Sequence, residues 1–372
     1  MAENKFMPFG LGLRQLMAVV LLLATTMALG AKPQRAAATL ETTWSAPASA
    51  TVVAEARTFN NGTVLLSGTL YAPKSTRRVP ALIAFHGASE PTREFPLYRH
   101  LGEMLPPLGI AVFVYDRRGT GKSGGKPANG DYEALADDGI AAQRLLASDP
   151  RIDPKRIGFW GLSQGGWLSL LAASRSPDAA FAISISAPMT TPDVQMNFAV
   201  ANILRIRGYS EDDVQAAIEA RKAVDDFERG LLDRSTAQQR LDAAVSKPWF
   251  DLIYMDKTFA DPEHAGWAKE IRQDPLRSVD SVGCPMLIVY GARDPWVPAK
   301  QSVEALKGIA ARHPGMSVVV VAGADHTMMW SAPPALQIDP HAFFTQAPES
   351  PTYFALLASW LTAQGFARIE SE

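Results

Sequence analysis

Three side chains that together could perform nucleophilic catalysis follow three different apolar segments of this sequence. Ser163 lies in RIGFWGLSQGGWLSLLAAS, Asp294 follows PMLIVYG, and His326 follows VVVVAGAD. A serine hydroxyl becomes a nucleophile when a histidine takes its proton, and an acid that orients the histidine completes the arrangement. The sequence therefore predicts Ser163 as the nucleophile, His326 as the base and Asp294 as the orienting acid.

The glycines around Ser163 favour a sharp turn between a strand and a helix. The pattern G-x-S-x-G places Gly161 and Gly165 on either side of the serine, and Gly166 follows. In a strand-turn-helix context such a turn exposes the serine above the carboxyl edge of a sheet, where open α/β sheets bind ligands. The alternative is an ordinary strand-to-helix turn, in which glycines are also common.

Six histidines compete for the role of base. His326 is the best placed, because it follows an apolar strand in the loop at the carboxyl end. His341, in a proline-rich loop, stays open as the alternative. Of the other four, His100 lies in a predicted helix and His264 in a charged helical segment. His313 precedes a strand, and His86 directly follows an early strand.

A tetrahedral oxyanion needs backbone donors, and two places in the sequence can supply them. The first donor is the amide of Gln164, which follows the nucleophile. The second belongs to the loop AFHGAS after an early strand, where Ala88 is the preferred donor and Gly87 the next. The alternative for this loop is an ordinary glycine turn.

Apolar runs alternate with helical patterns along most of the chain, which predicts an α/β fold with a mostly parallel sheet and helices on both faces. Between about 189 and 277 the alternation stops and a charged helical pattern replaces it. We expect an α/β core at 51–188 and 278–372, with a helical cap inserted at 189–277.

The amino-terminal residues have the pattern of an export signal. Two basic residues precede the uncharged run LMAVVLLLATTMALG, which is shorter than the roughly 20 residues that cross a bilayer. The sequence predicts a signal peptide at 1–30, a linker at 31–50, and a periplasmic or secreted protein. An uncleaved membrane anchor stays open.

The composition argues against several classes of partner. The formal net charge is −2 without a charged run, so there is no basic field for nucleic acid. Cys284 is the only cysteine, which excludes an intrachain disulfide and a cysteine-ligated metal site. We expect it to be a small buried side chain.

The segment YDRRGTGKSGG contains GKS, but Asp116 stands where a phosphate-binding loop needs glycine. Asp116 and Arg117 are instead expected to fix neighbouring loops.

With these motifs in hand, the chain resembles serine α/β-hydrolases of the carboxylesterase, dienelactone-hydrolase-like and prolyl-oligopeptidase-like branch. The resemblance rests on HGAS at 86–89, YDRRGTGKSGG at 115–125, GLSQGG at 161–166, GARDPWVP at 291–298 and GADH at 323–326. It implies the catalytic roles given above and no cofactor. No metal is expected either, because the sequence has no HExxH or similar spacing of ligands. Dienelactone hydrolases have a cysteine where this chain has Ser163, so their particular chemistry is not implied.

The expected activity is hydrolysis of small-molecule esters with short to medium acyl chains. A peptidase, amidase or thioesterase on the same triad, and a non-catalytic binding protein on a hydrolase scaffold, are the alternatives. Aromatic residues of the predicted cap could line the acyl pocket, or could pack the cap onto the core: Trp249, Phe250, Tyr254, Phe259 and Trp267.

Overall fold

The protein is described by a computed structural model that covers residues 52–89, 92–94, 96–128, 130–330, 332–339 and 350–367. The predicted signal peptide, the linker and His341 lie outside these residues. Within these ranges no helix is both long and apolar enough to cross a bilayer.

An eight-stranded sheet in the order β1-β2-β4-β3-β5-β6-β7-β8 organises the described residues. β1 pairs with β2 and β2 with β4 in antiparallel fashion, and the remaining pairs are parallel. The strands are β1 Val52–Asn61, β2 Val64–Pro73, β3 Val79–Phe85, β4 Ala111–Tyr115, β5 Ile152–Leu162, β6 Ala182–Ile185, β7 Met286–Gly291 and β8 Met316–Val321.

Helices follow most of the parallel strands. They are α1 Pro96–Met104, α2 Tyr132–Ala147, α3 Gln164–Arg175, α4 Pro192–Ile206, α5 Glu211–Glu228, α6 Arg234–Val245, α7 Gly266–Glu270, α8 Pro275–Asp280, α9 Ala299–Ala310, α10 Pro334–Gln337 and α11 Pro351–Ala363. Short 3₁₀ turns lie at Pro106–Leu108 and Phe250–Ile253.

The central strands are apolar throughout because the sheet is covered on both faces. Every residue of β3, β4, β6 and β7 is buried. Alternate residues of β3 belong to different cores: Ile83 and Phe85 pack with α2, α3 and α9, whereas Leu82 and Ala84 pack with α1 and α11. Continuous apolar runs are typical of parallel strands buried in this way.

Five helices, α4 to α8, lie between β6 and β7 in the chain, and we call the segment from α4 to α7 the insertion. The insertion has a hydrophobic core of its own, in which Leu204, Leu241 and Trp249 pack together. The predicted end of the cap at 277 falls inside α8, whose Val279 packs in the core of the sheet. α8 therefore belongs with the sheet by its contacts.

Candidate active site

Ser163 occupies a strained turn between β5 and α3. Its φ is 56° and its ψ is −120°, in a region that residues other than glycine seldom adopt. Its backbone N–H donates to the carbonyl of Ile185 at 2.7 Å, so the strand pairing continues into the turn. A Cβ on Gly161 would lie 1.8 Å from the carbonyl oxygen of Gly165, so glycine is required at this position. Backbone strain of this kind is typical of functional sites.

The start of α3 is packed closely against the loops that follow β3 and β6. A Cβ on Gly165 would lie 2.4 Å from the carbonyl oxygen of Phe85, at the end of β3. One on Gly166 would lie 2.7 Å from Cβ of Ala187, after β6. The glycine pair thus lets the helix begin directly beside the loop that carries the predicted oxyanion donors.

Asp294 and His326 face each other across the loops after β7 and β8. Nδ1 of His326 lies 2.8 Å from Oδ2 of Asp294, whose side chain is fully buried. The other carboxylate oxygen, Oδ1, accepts from the backbone N–H groups of Trp296 at 2.8 Å and Val297 at 3.0 Å. Because a carboxylate only accepts hydrogen bonds, Nδ1 is the donor and the Nε2 atom of a neutral His326 is left as an acceptor.

The backbone brings these two loops together and places all three residues at one edge of the sheet. The N–H of Arg293 donates to the carbonyl of Ala324 at 2.9 Å. Ser163, Asp294 and His326 follow the carboxyl ends of β5, β7 and β8, which run parallel. β5 and β7 are two strand spacings apart, about 10 Å, which is within the reach of side chains that converge above the sheet.

The loop after β3 is held by Arg117 and Tyr98. Nη2 of Arg117 donates to the carbonyls of His86 at 2.8 Å and Gly87 at 3.2 Å. In a trans peptide the N–H points opposite to the C=O, so the Ala88 N–H is directed away from Arg117. The N–H of Gly87 donates to the Tyr98 hydroxyl at 2.9 Å and is therefore already engaged. Ala88 is thus the better oriented of the two candidate donors in this loop.

The other described histidines lie in different environments. His86 is buried, and burial together with the charge of Arg117 lowers the pKa of its imidazole well below the usual value. His313 lies 3.3 Å from Asp280 of α8, and His264 is exposed on the insertion. The backbone of His100 is part of α1.

A contact between the insertion and the turn beside Ser163 has no signature in the sequence. Oε1 of Glu270, in α7, accepts from the hydroxyl of Tyr132 at 2.7 Å and from Nε2 of Gln164 at 3.5 Å. Nε2 of Gln164 also lies 3.3 Å from the Tyr132 hydroxyl. Burial raises the pKa of the Glu270 carboxyl, although these two donors and the charge of Arg117 oppose that shift.

The insertion also contacts the loop that carries Asp294. Nε2 of Gln195 donates to the carbonyl of Trp296 at 2.8 Å, and Nδ2 of Asn202 donates to that of Pro295 at 3.1 Å. The rings of Tyr254 and Trp296 are 6.0 Å apart. The insertion is thus attached to loops on two sides of the candidate triad.

A cavity of about 310 Å³ lies within the insertion. Of the five aromatic residues expected to form a pocket or to pack the cap, three line this cavity: Tyr254, Phe259 and Trp267. Trp249 and Phe250 pack instead in the hydrophobic core of the insertion. Trp249 and Phe250 thus pack within the insertion and not onto the core of the sheet, and the role of the cavity as an acyl pocket stays a prediction.

The segment YDRRGTGKSGG folds as a loop organised by Asp116. Its carboxylate accepts from the backbone N–H groups of Arg93 at 3.0 Å and Lys122 at 2.8 Å. The hydroxyl of Ser123 donates to the carbonyl of Asp116. The structural role expected of Asp116 and Arg117 is confirmed.

Cys284 is only partly buried, unlike the prediction, because it lies before β7 at the margin of the core. Burial raises the pKa of its thiol to about 11. No group of three or more histidine, cysteine, aspartate or glutamate side chains in the described ranges is arranged to hold a metal ion.

A comparison with protein-family models now places the chain. The model described as "Serine aminopeptidase, S33" matches residues 77–330, which include all three candidate catalytic residues. The chain belongs to this family. It is thus a member of the serine α/β-hydrolase superfamily, and the α/β-hydrolase fold expected from the motifs is confirmed.

Curated relatives of this S33-family chain match only in part. A thiohydrolase of Arthrinium phaeospermum, apmlB, is 30% identical over 33% of this chain and 39% of its own length. A polyketide transferase of Penicillium crustosum, claH, is 40% identical over 21% of this chain and 25% of its own length. The matched regions thus span less than half of these relatives.

A solved structure of an esterase from Pyrococcus furiosus is also similar to this member of the S33 family. It has a TM-score of 0.53 and 18% sequence identity, over 84% of this chain and 91% of that one. At this identity the similarity establishes the α/β-hydrolase fold. The described part of this chain is therefore a hydrolase fold with a helical insertion after β6.

Proposed function

We propose that this protein is a serine esterase that cleaves carboxylic esters with short to medium acyl chains. The observation that carries the proposal is the 2.8 Å contact between His326 and the buried Asp294, in a fold that places Ser163 at a strained turn on the same sheet edge. Membership of a family of serine hydrolases supports the same chemistry.

In the proposed reaction, Oγ of Ser163 attacks the ester carbonyl while Nε2 of His326 accepts the hydroxyl proton. The tetrahedral intermediate collapses when His326 returns this proton to the leaving alcohol, which leaves an acyl group on Ser163. Water then attacks the acyl-enzyme with His326 again as the base, and the acid is released. Asp294 keeps the proton on Nδ1 and offsets the positive charge that develops on the imidazole.

The oxyanion of each intermediate is assigned to the amides of Gln164 and Ala88. Gln164 is the first residue of α3, where backbone N–H groups point toward the amino end and the helix dipole favours negative charge. The orientation of the Ala88 amide follows from the Arg117 contact with the Gly87 carbonyl. Loss of one such donor typically lowers turnover by about two to three orders of magnitude.

The cavity within the insertion supports a substrate with a short to medium acyl chain. Its volume of about 310 Å³ is at the lower end of the range of small-molecule sites, about 300–1,000 Å³. Tyr254, at one wall, packs on Trp296, which donates to Asp294. Through this contact the cavity adjoins the loop of the orienting acid.

Thioester hydrolysis or acyl transfer is the second candidate function. The relatives whose names are thiohydrolase and polyketide transferase favour it, because the same acyl-enzyme would form from a thioester. The family description suggests a peptidase as a third possibility. Cleavage of an anilide requires firm protonation of a poorer leaving group, so matched substrates separate these activities.

The first experiment on substrate class compares a p-nitrophenyl acyl series of two to twelve carbons with the matching acyl thioesters and p-nitroanilides. An esterase is expected to give the highest kcat/KM on the esters, with a maximum among the shorter acyl chains. Highest kcat/KM on the thioesters or anilides would replace the proposal with the corresponding alternative. Absence of turnover on all three, together with no labelling by a fluorophosphonate, would point to a binding protein.

We also propose that the protein acts after export, with cleavage of the signal peptide near residue 30. The support is the uncharged apolar run that follows two basic residues at the amino terminus. Amino-terminal sequencing of the protein recovered from the periplasm or the medium tests this. Recovery from the membrane fraction of a protein that still begins at residue 1 would favour the alternative of an uncleaved membrane anchor.

A further inference from the structure

Three residues of α5 present charged and apolar groups to the cavity in the insertion. Arg221, Val224 and Glu228 line it and are spaced by three and four residues, which places them on one face of the helix. The exposed fraction of Arg221 is 2% and that of Glu228 is 1%. Burial of a cation and a carboxyl beside an internal cavity is costly unless their polar atoms find partners.

Both charged side chains have a polar atom that no other described residue satisfies. The guanidinium of Arg221 donates through Nη1 to the carbonyl of Ile253 and lies 5.6 Å from the ring centre of Trp267, but its buried Nε has no acceptor among these residues. The buried Oε2 of Glu228 likewise has no donor there. A buried donor and a buried acceptor are thus present in the wall of one cavity.

The charges that line the cavity nearly balance, which argues against a charged ligand. The acidic and basic side chains that line it are Arg221, Glu228, Asp256 and His264, so one arginine stands against two acids, of which Glu228 is buried. Burial raises the pKa of Asp225 and of Glu228, so the charged form of each carboxyl is disfavoured. An ammonium group would be repelled by Arg221, and a carboxylate would add a negative charge beside Asp256.

The rest of the lining is mostly apolar and adjoins the catalytic loops. Met196, Phe259 and Trp267 contribute to the walls. Trp267 lies three residues before Glu270 in α7, and Glu270 contacts Gln164 beside Ser163. α7 thus carries both Trp267 of the cavity wall and Glu270 beside the turn of the nucleophile, and Tyr254 contacts the loop of Asp294. The three candidate catalytic residues do not themselves line the cavity.

We propose that this cavity is the acyl subsite and that it selects neutral acyl chains carrying a hydroxyl group, which accepts from Arg221 or donates to Glu228. A hydroxyl group is both a donor and an acceptor, so it complements either orphaned atom without adding charge. The aliphatic part of the chain packs against the apolar walls. This inference rests on the proposed function, because it assigns the acyl part of that substrate.

Binding is measured on the Ser163→Ala protein, so that the result does not depend on turnover. Methyl 6-hydroxyhexanoate and methyl hexanoate are titrated by calorimetry, with intrinsic tryptophan fluorescence as a second signal. We expect the hydroxylated ester to bind about tenfold more tightly, since it gains a hydrogen bond to a charged group that methyl hexanoate cannot form. Equal dissociation constants for the two esters would overturn the proposal.

Two added variants identify the residue that is responsible. Arg221→Met on the Ser163→Ala background is expected to reduce the preference for the hydroxylated ester to less than threefold. Lys222→Met removes a neighbouring cation that pairs with Asp226 at the surface, and it should keep the full preference. A preference that survives in folded Arg221→Met and also in Glu228→Gln would contradict the assignment.

Further measurements guard against misfolding and against a charged ligand. If Arg221→Met does not fold, Val224→Phe fills the cavity instead, and it should weaken binding of both esters at least tenfold. Unchanged affinities in Val224→Phe would place the subsite elsewhere.

Monomethyl adipate and methyl 6-aminohexanoate should bind no more tightly than methyl hexanoate, and tighter binding of either would overturn the neutral-ligand assignment. Catalytic failure of the wild type alone would contradict the esterase and leave these binding results standing.

Discussion

Asp294 uses its two carboxylate oxygens for two different tasks. Oδ2 lies 2.8 Å from Nδ1 of His326, whereas Oδ1 accepts from the backbone N–H groups of Trp296 and Val297. The backbone contacts fix the carboxylate in its loop, so that the second oxygen meets the imidazole in one geometry. The acid therefore determines both the orientation and the tautomer of His326.

Asp294→Asn is expected to lower kcat by about ten-thousand-fold, because an amide can donate to Nδ1 and would leave the proton on Nε2. The asparagine oxygen can still accept from Trp296 and Val297, so the melting temperature should change little. Ester turnover and thermal unfolding of the purified variant check both expectations.

Asp325→Asn is the matched control for this change. Asp325 precedes His326 and is buried, but its Oδ1 accepts from the backbone N–H groups of Thr327 and Met329. Asparagine can keep these bonds, so kcat should stay within about tenfold of the wild type. A larger loss of kcat in Asp325→Asn than in Asp294→Asn would reverse the assignment of the acid.

Glu270 makes the stability of the protein depend on pH in a definite direction. Because burial raises its pKa above the ordinary 4.5, the folded protein binds this proton more tightly than the unfolded chain. The contribution of Glu270 therefore favours folding below about pH 4.5 and is lost as pH rises through the folded pKa. Glu270→Gln removes this loss, so the melting temperature of the variant relative to the wild type should increase from pH 5 to pH 8.

The same residue is expected to affect turnover through its contacts. The amide oxygen in Glu270→Gln can still accept from Tyr132 and Gln164, so its kcat should stay within about threefold of wild type. Glu270→Ala leaves both donors without this acceptor and should lower kcat further, with KM nearly unchanged. A relative melting temperature of Glu270→Gln that falls with pH would contradict the pKa direction, and equal kcat values for both variants would contradict the positioning role.

Gly161→Ala tests the packing of the turn at Ser163. The added methyl group would lie 1.8 Å from the carbonyl oxygen of Gly165, and this contact cannot be relieved without moving the backbone. We expect the free energy of unfolding to fall by about 4 kcal/mol or more, or the protein not to fold. Chemical denaturation of both proteins measures the difference.

Gly308→Ala provides the comparison, because a Cβ at Gly308 would meet open space in α9. Alanine there should leave stability unchanged or raise it by about 0.5–1 kcal/mol, since glycine is a poor helix former. Equal destabilisation in the two variants would show that the turn at Gly161 is not specifically tight.

The strand ends that carry Ser163, Asp294 and His326 are predictable because each is encoded locally. β5, β7 and β8 each contain an apolar run that ends near a glycine, a pattern typical of parallel strands, and β8 shows it although this edge strand is only partly buried. The sheet order is different in kind. Nothing in the local pattern indicates that β4 lies between β2 and β3, because strand pairing depends on the packing of distant segments.

Glu270 and Arg221 show where sequence reasoning reaches its limit. Glu270 contacts Tyr132 and Gln164, which are more than a hundred residues earlier in the chain, and a charged residue in a charged helical segment carries no sign of this. Arg221 is equally inconspicuous in sequence, although its side chain is almost fully buried. Aromatic composition could suggest a pocket in the insertion, but it could not separate Trp267 in the cavity wall from Trp249 in the core.

The most direct test of the central claim is the turnover of p-nitrophenyl butyrate by wild type, Ser163→Ala and Ser174→Ala. Ser174 lies near the carboxyl end of α3, and its hydroxyl donates to the carbonyl of Leu171, so its variant controls for loss of a serine hydroxyl elsewhere on this helix. We predict that kcat falls by at least about ten-thousand-fold in Ser163→Ala, with an unchanged circular dichroism spectrum, and stays within twofold of wild type in Ser174→Ala. Wild-type turnover in Ser163→Ala would contradict the account.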